Sequence, residues 1–354
     1  MTATFLTPDD PRWTAFLHRV VHDVYHLPGY VAAAAVHEGG TPAAFFAEAD
    51  GHALLIPLLL HPLPPALNAP PDWHDAASPY GYPGPLLTPG CPPDTFEALL
   101  HALRREAAAR SLVSLFLRLH PLLPVPLSPL AAIGDVRRHG PTVYLDLEAP
   151  ARYRRDHRSG LRKLRQAGYT LQMDAWEHEH AFRTLYAATM TRVRAEPFYR
   201  FDGAYFTALR ERLPGALHLA TVHAPGGDVA AAALVLTAGP FAAYHLSGSA
   251  ARYRADAPAK LLVDGMRRWG RAQGLRVLHL GGGVGGSADS LLLFKQGFSD
   301  RTAPFHTVRV ILDPGRYADL TARAGTASPA SSGFFPAYRR HRPRAAASPP
   351  AVGC

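Results

Sequence analysis

Apolar residues along this chain follow two rhythms, and the switches between them outline a series of elements. From Pro11, the residues Trp13, Phe16, Leu17, Val20, Val21 and Val24 recur at helical spacing and predict one amphipathic helix. Residues 43–47 and 52–60 are short apolar runs around an Asp50-Gly51 turn signal, which predicts a hairpin. The proline-rich stretch 61–93 reads as loop, and within it Ser78-Pro-Tyr-Gly-Tyr-Pro-Gly-Pro-Leu86 is an aromatic segment with rigid turns. A helix over 93–110, a strand at 112–119 and a closing strand at 143–147 follow, with Pro150 marking a boundary.

The second half opens with a basic helix over 151–167, stopped by Gly168. Helices at 177–193 and 202–213 come next, then strands at 217–222, 229–236 and 241–246. A helix over 258–273 is punctuated by Pro258 at its start and Gly274 past its end. It leads to a strand at 276–280, a glycine loop, a short helix at 290–296 and a strand at 306–312. No internal repeat of fixed period shows in the sequence. Beyond Tyr317 the chain turns rich in Ala, Ser, Pro and Arg, so 317–354 reads as a disordered basic tail.

Composition refines this picture. A chain of 354 residues, 47% of them hydrophobic, is long enough for two lobes: 1–150 and 151–316. The longest apolar run, 53–60, is broken at Pro57 and falls far short of the ~20 residues a membrane span needs. Residues 1–11 lack the basic and apolar regions of a signal peptide, and Cys91 and Cys354 make no disulfide framework, so a soluble cytoplasmic protein is expected. The net charge of +9 fits either an anionic partner or a compositional bias, since all but Lys163, Lys260 and Lys295 of the basic residues are arginine.

Candidate chemistry concentrates in the second half. Gly281-Gly-Gly-Val-Gly-Gly286 matches the spacing of a dinucleotide loop, but too little chain follows to build that fold. The glycines serve either close ligand approach or a wide turn. Lys295 stands just downstream, either as a surface lysine or as a cation for a phosphate or an oxyanion. On the basic helix Arg155, Arg158 and Arg162 share a face, fit for a phosphate backbone or for plain solvation. His178 and His180 are spaced i, i+2 and no H-E-x-x-H occurs, so no metal site is expected. Ser247 lies in His245-Leu-Ser-Gly-Ser249, which is not a nucleophile elbow.

Several segments together resemble the FemAB/FemX-like transferases of the GNAT (acyl-CoA N-acyltransferase-like) superfamily. They are Tyr244-His-Leu-Ser-Gly248, Leu278-His-Leu-Gly-Gly-Gly283 and Asp289-Ser-Leu-Leu-Leu-Phe-Lys-Gln-Gly-Phe298, with the basic helix, Thr189-Met-Thr-Arg-Val-Arg194, Phe198-Tyr-Arg-Phe201 and the aromatic loop 78–86. The resemblance implies an α+β fold of two tandem GNAT-like lobes, each a mixed sheet flanked by helices, with a ligand cleft between them. It implies an acyltransferase forming an amide on an amine acceptor. Aminoacyl-tRNA or acyl-CoA would be the donor substrate, no cofactor would be tightly bound, and a muropeptide precursor is one acceptor of this kind. In such enzymes the lysine of the Phe-Lys-x-Gly-Phe segment is held to stabilise the tetrahedral intermediate, a role that falls on Lys295. His245 and Asp289 are then candidate bases. Tyr80, Tyr82, Arg192, Tyr244, Ser247, Arg252, Arg254, Gly281, Gly282, Gly283 and Ser290 join the three helix arginines as candidate binding residues. The family's glycine-rich pyrophosphate loop is missing: its place holds residues 249–258, which contain no glycine. An acetyl-CoA-dependent N-acetyltransferase and a noncatalytic RNA- or precursor-binding protein are the competing readings.

Overall fold

The computed structural model describes residues 1–326 and 333–340. Its first eleven elements are β1 (Thr2–Leu6), α1 (Pro11–Leu17), α2 (Pro28–Glu38), β2 (Thr41–Ala49), β3 (His52–Pro62), β4 (His74–Ala77), β5 (Leu86–Leu87), α3 (Pro93–Ala109), β6 (Leu112–Arg118), α4 (Leu127–Ile133) and β7 (Asp135–Asp146). The rest are α5 (Arg155–Gln166), β8 (Thr170–Met173), α6 (Glu179–Arg192), α7 (Gly203–Arg212), β9 (Leu217–His223), β10 (Val229–Ala238), β11 (Phe241–Ser249), α8 (Ala259–Ala272), β12 (Val277–Gly281), α9 (Ser290–Gln296), β13 (Thr302–Ile311) and α10 (Pro314–Arg323).

The strands form one continuous mixed sheet in the order β1-β2-β3-β4-β6-β13-β7-β12-β11-β10-β9-β8. Its two halves are built alike. In each, four antiparallel strands lead through a long helix, α3 or α8, to a strand that pairs parallel with the fourth: β6 beside β4, β12 beside β11. A short helix, α4 or α9, then precedes a strand that crosses to the other half: β7 pairs with β12, and β13 with β6. The two exchanged strands pair with each other and join the halves. This structural repeat leaves no fixed period in the sequence because loop lengths differ between the halves.

The exchange also divides the core. One apolar cluster lies beneath α3 and another beneath α5 and α8. A third is shared, since Tyr25, Tyr30, Ala33 and Ala34 of the first half pack with Phe182, Tyr186, Tyr205 and Phe206 of the second. Gly29 lets α2 approach α7, where a Cβ would run into the carbonyl oxygen of Arg212.

Several expectations need correction. The helix expected from Pro11 to Val24 ends at Leu17, and Asp23 caps a separate 3-10 turn before α2 begins at Pro28. The stretch 61–93 is not all loop, because it contributes β4 and β5. The expected disordered tail from 317 is ordered in both of its described parts. Tyr317 and Leu320 of α10 are buried, and Tyr338 is buried with them. Arg339 donates to the buried Asp75 at 2.6 Å, and Tyr338 donates to the same carboxylate. Residues 327–332 and 341–354, Cys354 included, lie outside the described residues.

Candidate functional site

Strands β11 and β12 run parallel but pair only from Phe241–Val277 to Ala243–His279. Beyond that point they part. The ladder between β10 and β11 steps from Leu234–Leu246 to Val235–Tyr244, so His245 is the extra residue of a β-bulge that turns β11 away from its neighbour. The opening lies at the carboxyl ends of the parallel strands, where α/β sheets present ligands.

Lys295 stands at this opening. It projects from α9, is 7% exposed, and donates from Nζ to the carbonyl of Gly282 at 2.6 Å. Burial lowers its pKa to about 8, against the opposing pull of Asp289. Gly281, at φ +74°, ends β12 in the left-handed region, and a Cβ there would lie 3.3 Å from the Tyr82 hydroxyl and 3.4 Å from Lys295 Nζ. Tyr82 comes from the first half of the chain. Burial raises its pKa to about 12, with the Gly282 backbone pulling the other way, so its hydroxyl remains a donor. Lys295, Tyr82, Gly281 and Gly282 are therefore brought together.

Tyr80 enters from the same aromatic loop. Its ring meets His245, Phe198 and Phe201, and its N–H donates to the half-buried Glu38 at 2.7 Å. Arg118 holds the loop from below by donating to the carbonyl of Ser78 at 2.7 Å. Sequence reasoning missed Glu38 and Arg118, which bear on the site only through that loop. It also missed His279, whose ring lies 4.9 Å from that of Tyr82. Burial lowers the His279 pKa to about 3, so the floor of the site carries an uncharged imidazole.

The two candidate bases do not fit that role. Nε2 of His245 is hydrogen-bonded to the Tyr205 hydroxyl at 2.9 Å, and burial takes its pKa down to about 3. Asp289 is the N-cap of α9. It accepts from Leu292 N–H and Val284 N–H, both at 2.9 Å, and these bonds outweigh burial to hold its carboxyl below the usual range. It fastens the glycine loop to α9, the helix that carries Lys295. Gly283 and Ser290 lie at the two ends of that same turn.

Other expected binding residues are dispersed or occupied. Tyr244 begins the end of β11 that has parted from β12, and donates to Ser247 at 2.7 Å. Arg192 reaches the Ser249 carbonyl at 3.4 Å, at the outer end of the same strand. Arg252 is ion-paired with Asp228 at 2.8 Å, and Arg254 is exposed on the adjacent 3-10 turn. Arg155, Arg158 and Arg162 lie on the outer surface of α5 and not at Lys295, and Arg158 donates to the Tyr153 carbonyl at 2.6 Å. Among the described residues, no cluster of His, Cys, Asp and Glu suits a metal, and no helix is long and apolar enough to cross a membrane.

Residues 151–288 match the sequence profile of the acetyltransferase (GNAT) domain. The likeness to that family is thus confined, at the level of sequence, to the second half of the chain. The whole chain has a fold like that of FemX. It superposes on the crystal structure of FemX with a TM-score of 0.68 at 16% identity, covering 90% of this chain and 99% of that one. L-PGS from Bacillus licheniformis matches with a TM-score of 0.55 at 14% identity, over 90% of this chain and 97% of its own. The C-terminal domain of a putative lysylphosphatidylglycerol synthetase from Agrobacterium fabrum gives 0.56 at 15% identity, over 88% and 93%. No curated protein sequence gives a significant match. The GNAT profile ends before Lys295, so the lysine rests on geometry: it belongs to the α9 turn that closes the opening between β11 and β12.

Proposed function

We propose that this protein is an acyltransferase that forms an amide on an amine acceptor, with Lys295 as the group that stabilises the tetrahedral oxyanion. The observation that carries the reading is the buried Lys295 ammonium, held against Gly282 beside the parting of β11 and β12. Attack of an amine on an ester or thioester carbonyl moves an electron pair onto the carbonyl oxygen. A fixed cation removed from water stabilises that oxygen far better than solvent does. Tyr82 supplies a second donor from the opposite half of the chain, so the site is assembled by both halves. Neither His245 nor Asp289 fits the part of base, and the amine proton is left to solvent or to the substrate.

The donor is better read as aminoacyl-tRNA than as acyl-CoA. An acyl-CoA pyrophosphate needs free backbone N–H groups at the start of α8. Here Lys260 and Leu261 N–H already donate to the carbonyls of Ala257 and Pro258, and Pro258 has none, which leaves Ala259 of the first three helical residues to offer an N–H. Arg155, Arg162 and Lys163 on α5 meanwhile make no side-chain bond among the described residues, which suits a phosphodiester backbone. A muropeptide precursor is the acceptor that the FemX-like fold makes the first to try, in a cytoplasmic setting.

Purified protein incubated with charged tRNAs and a muropeptide, beside an acetyl-CoA control, tests this reading. Amide formed from charged tRNA, falling steeply with salt, supports it. Acetyl transfer from acetyl-CoA alone replaces the donor, and binding with no transfer from either replaces the enzyme with a binding protein.

A further inference from the structure

A cavity of about 460 Å³ opens at the far end of β12 from Lys295. β7 pairs antiparallel with β12, with Val143 opposite Gly281 and Asp146 opposite Val277, so the two sites stand at opposite ends of one strand pair. The walls of the cavity are Leu145 and Asp146 at the end of β7, the link from 149 to 152, Arg267 of α8, and the turn 298–301 between α9 and β13. The end of β7 therefore lies in it, and β13 starts one residue past its wall.

Three guanidinium groups converge there. Arg301 is paired with Asp146 at 3.2 Å. Arg267 uses Nε on the Tyr153 hydroxyl at 2.8 Å, which leaves both terminal nitrogens without a partner among the described residues. Arg152 makes no hydrogen bond or ion pair among them. The one other acid in the lining, Asp300, is exposed and makes no hydrogen bond or ion pair among the described residues. A concave site with two unspent guanidinium forks and an excess of positive charge is built for a multivalent oxyanion, whose tetrahedral oxygens accept from several forks at once.

We infer that this cavity binds a small phosphate-bearing anion at a site separate from the acyl-transfer opening. A bound phosphate would bridge Arg152 and Arg267 across the entrance and fix the turn 298–301. That turn follows α9 directly, and the Phe298 N–H donates to the Lys295 carbonyl at 3.0 Å. Occupancy of the cavity thus steadies the helix that holds the buried lysine.

The test is calorimetric titration of the full chain with inorganic phosphate at low salt, with acetate as the carboxylate control. Saturable one-to-one phosphate binding is expected, weakened about tenfold or more by Arg152→Gln, as for loss of a charge-assisted bond. Arg152 has no partner to lose, so this variant keeps its fold. Arg267→Gln should act alike, Asp300→Asn should tighten binding by removing the rim carboxylate, and Arg271→Gln, on α8 outside the cavity, should change nothing. No saturable binding, equal binding of acetate, or a loss caused by Arg271→Gln and not by Arg152→Gln overturns the proposal.

Discussion

Lys295 keeps a charge where water barely reaches it, and both its chemistry and its cost follow from that. Its ordinary value of 10.5 falls to about 8 on burial. In the proposed role the ammonium is the working form, so turnover should decline as pH rises through about 8. Stability moves the other way. Between about 8 and 10.5 the unfolded chain binds a proton that the folded chain lacks, so the fold gains stability as pH rises across that window. Replacing the lysine with methionine removes the buried charge, and with the Gly282 bond lost in exchange should stabilise the fold by about 1–3 kcal/mol at pH 7. Thermal melts of wild type and Lys295→Met from pH 7 to 10 check this: the gap should close with rising pH. The lysine was legible in the sequence because its neighbours Asp289 and Phe298 mark the segment. The failure of His245 as a base was not legible. It depends on burial between the two halves and on Tyr205, which α7 brings from a distant part of the chain, and no local pattern records either.

Among the elements, those with one buried face were legible and those with unusual surroundings were not. The hairpin of β2 and β3 and the short helix α9 follow from apolar spacing and turn residues. α2 did not, since its run of alanines is buried around most of its circumference and so lacks a polar side. The first half of β7, which pairs with the end of β13, and the start of β13, which pairs with the end of β7, also escaped, because both stay largely exposed and carry Arg137, Arg138, Pro141 and Pro304 in place of an apolar alternation. The contact of α2 with α7 gives a prediction. Gly29→Ala should push the helices apart and cost about 1–3 kcal/mol, read as a lower urea midpoint. An unchanged midpoint would show that the helices can separate freely.

At the scale of the whole molecule, strand exchange makes one structure of two similar halves. The site follows from it: Lys295 lies between β12 and β13, and Tyr82 arrives from the other half. The ordered segment 333–340 adds a second tie, closing over β4 and β6 through Arg339 and Tyr338 on Asp75. Sequence composition could not show this, since a basic Pro-rich segment reads as solvated until a buried carboxylate is placed beneath it. The Asp75 and Arg339 side chains are only 4% and 14% exposed. Arg339→Ala should therefore leave an uncompensated buried charge and cost about 3 kcal/mol in a denaturant melt. Asp75→Asn in the same background should recover part of the loss.

The central claim is that Lys295 stabilises charge that develops during transfer. Its most direct test is the turnover of Lys295→Met at saturating donor and acceptor, on material shown by its melt to be folded. A fall of about 10²–10³ is expected with little change in either affinity, as for loss of an oxyanion donor, and only partial rescue by Lys295→Arg. Wild-type turnover in the methionine variant would contradict it.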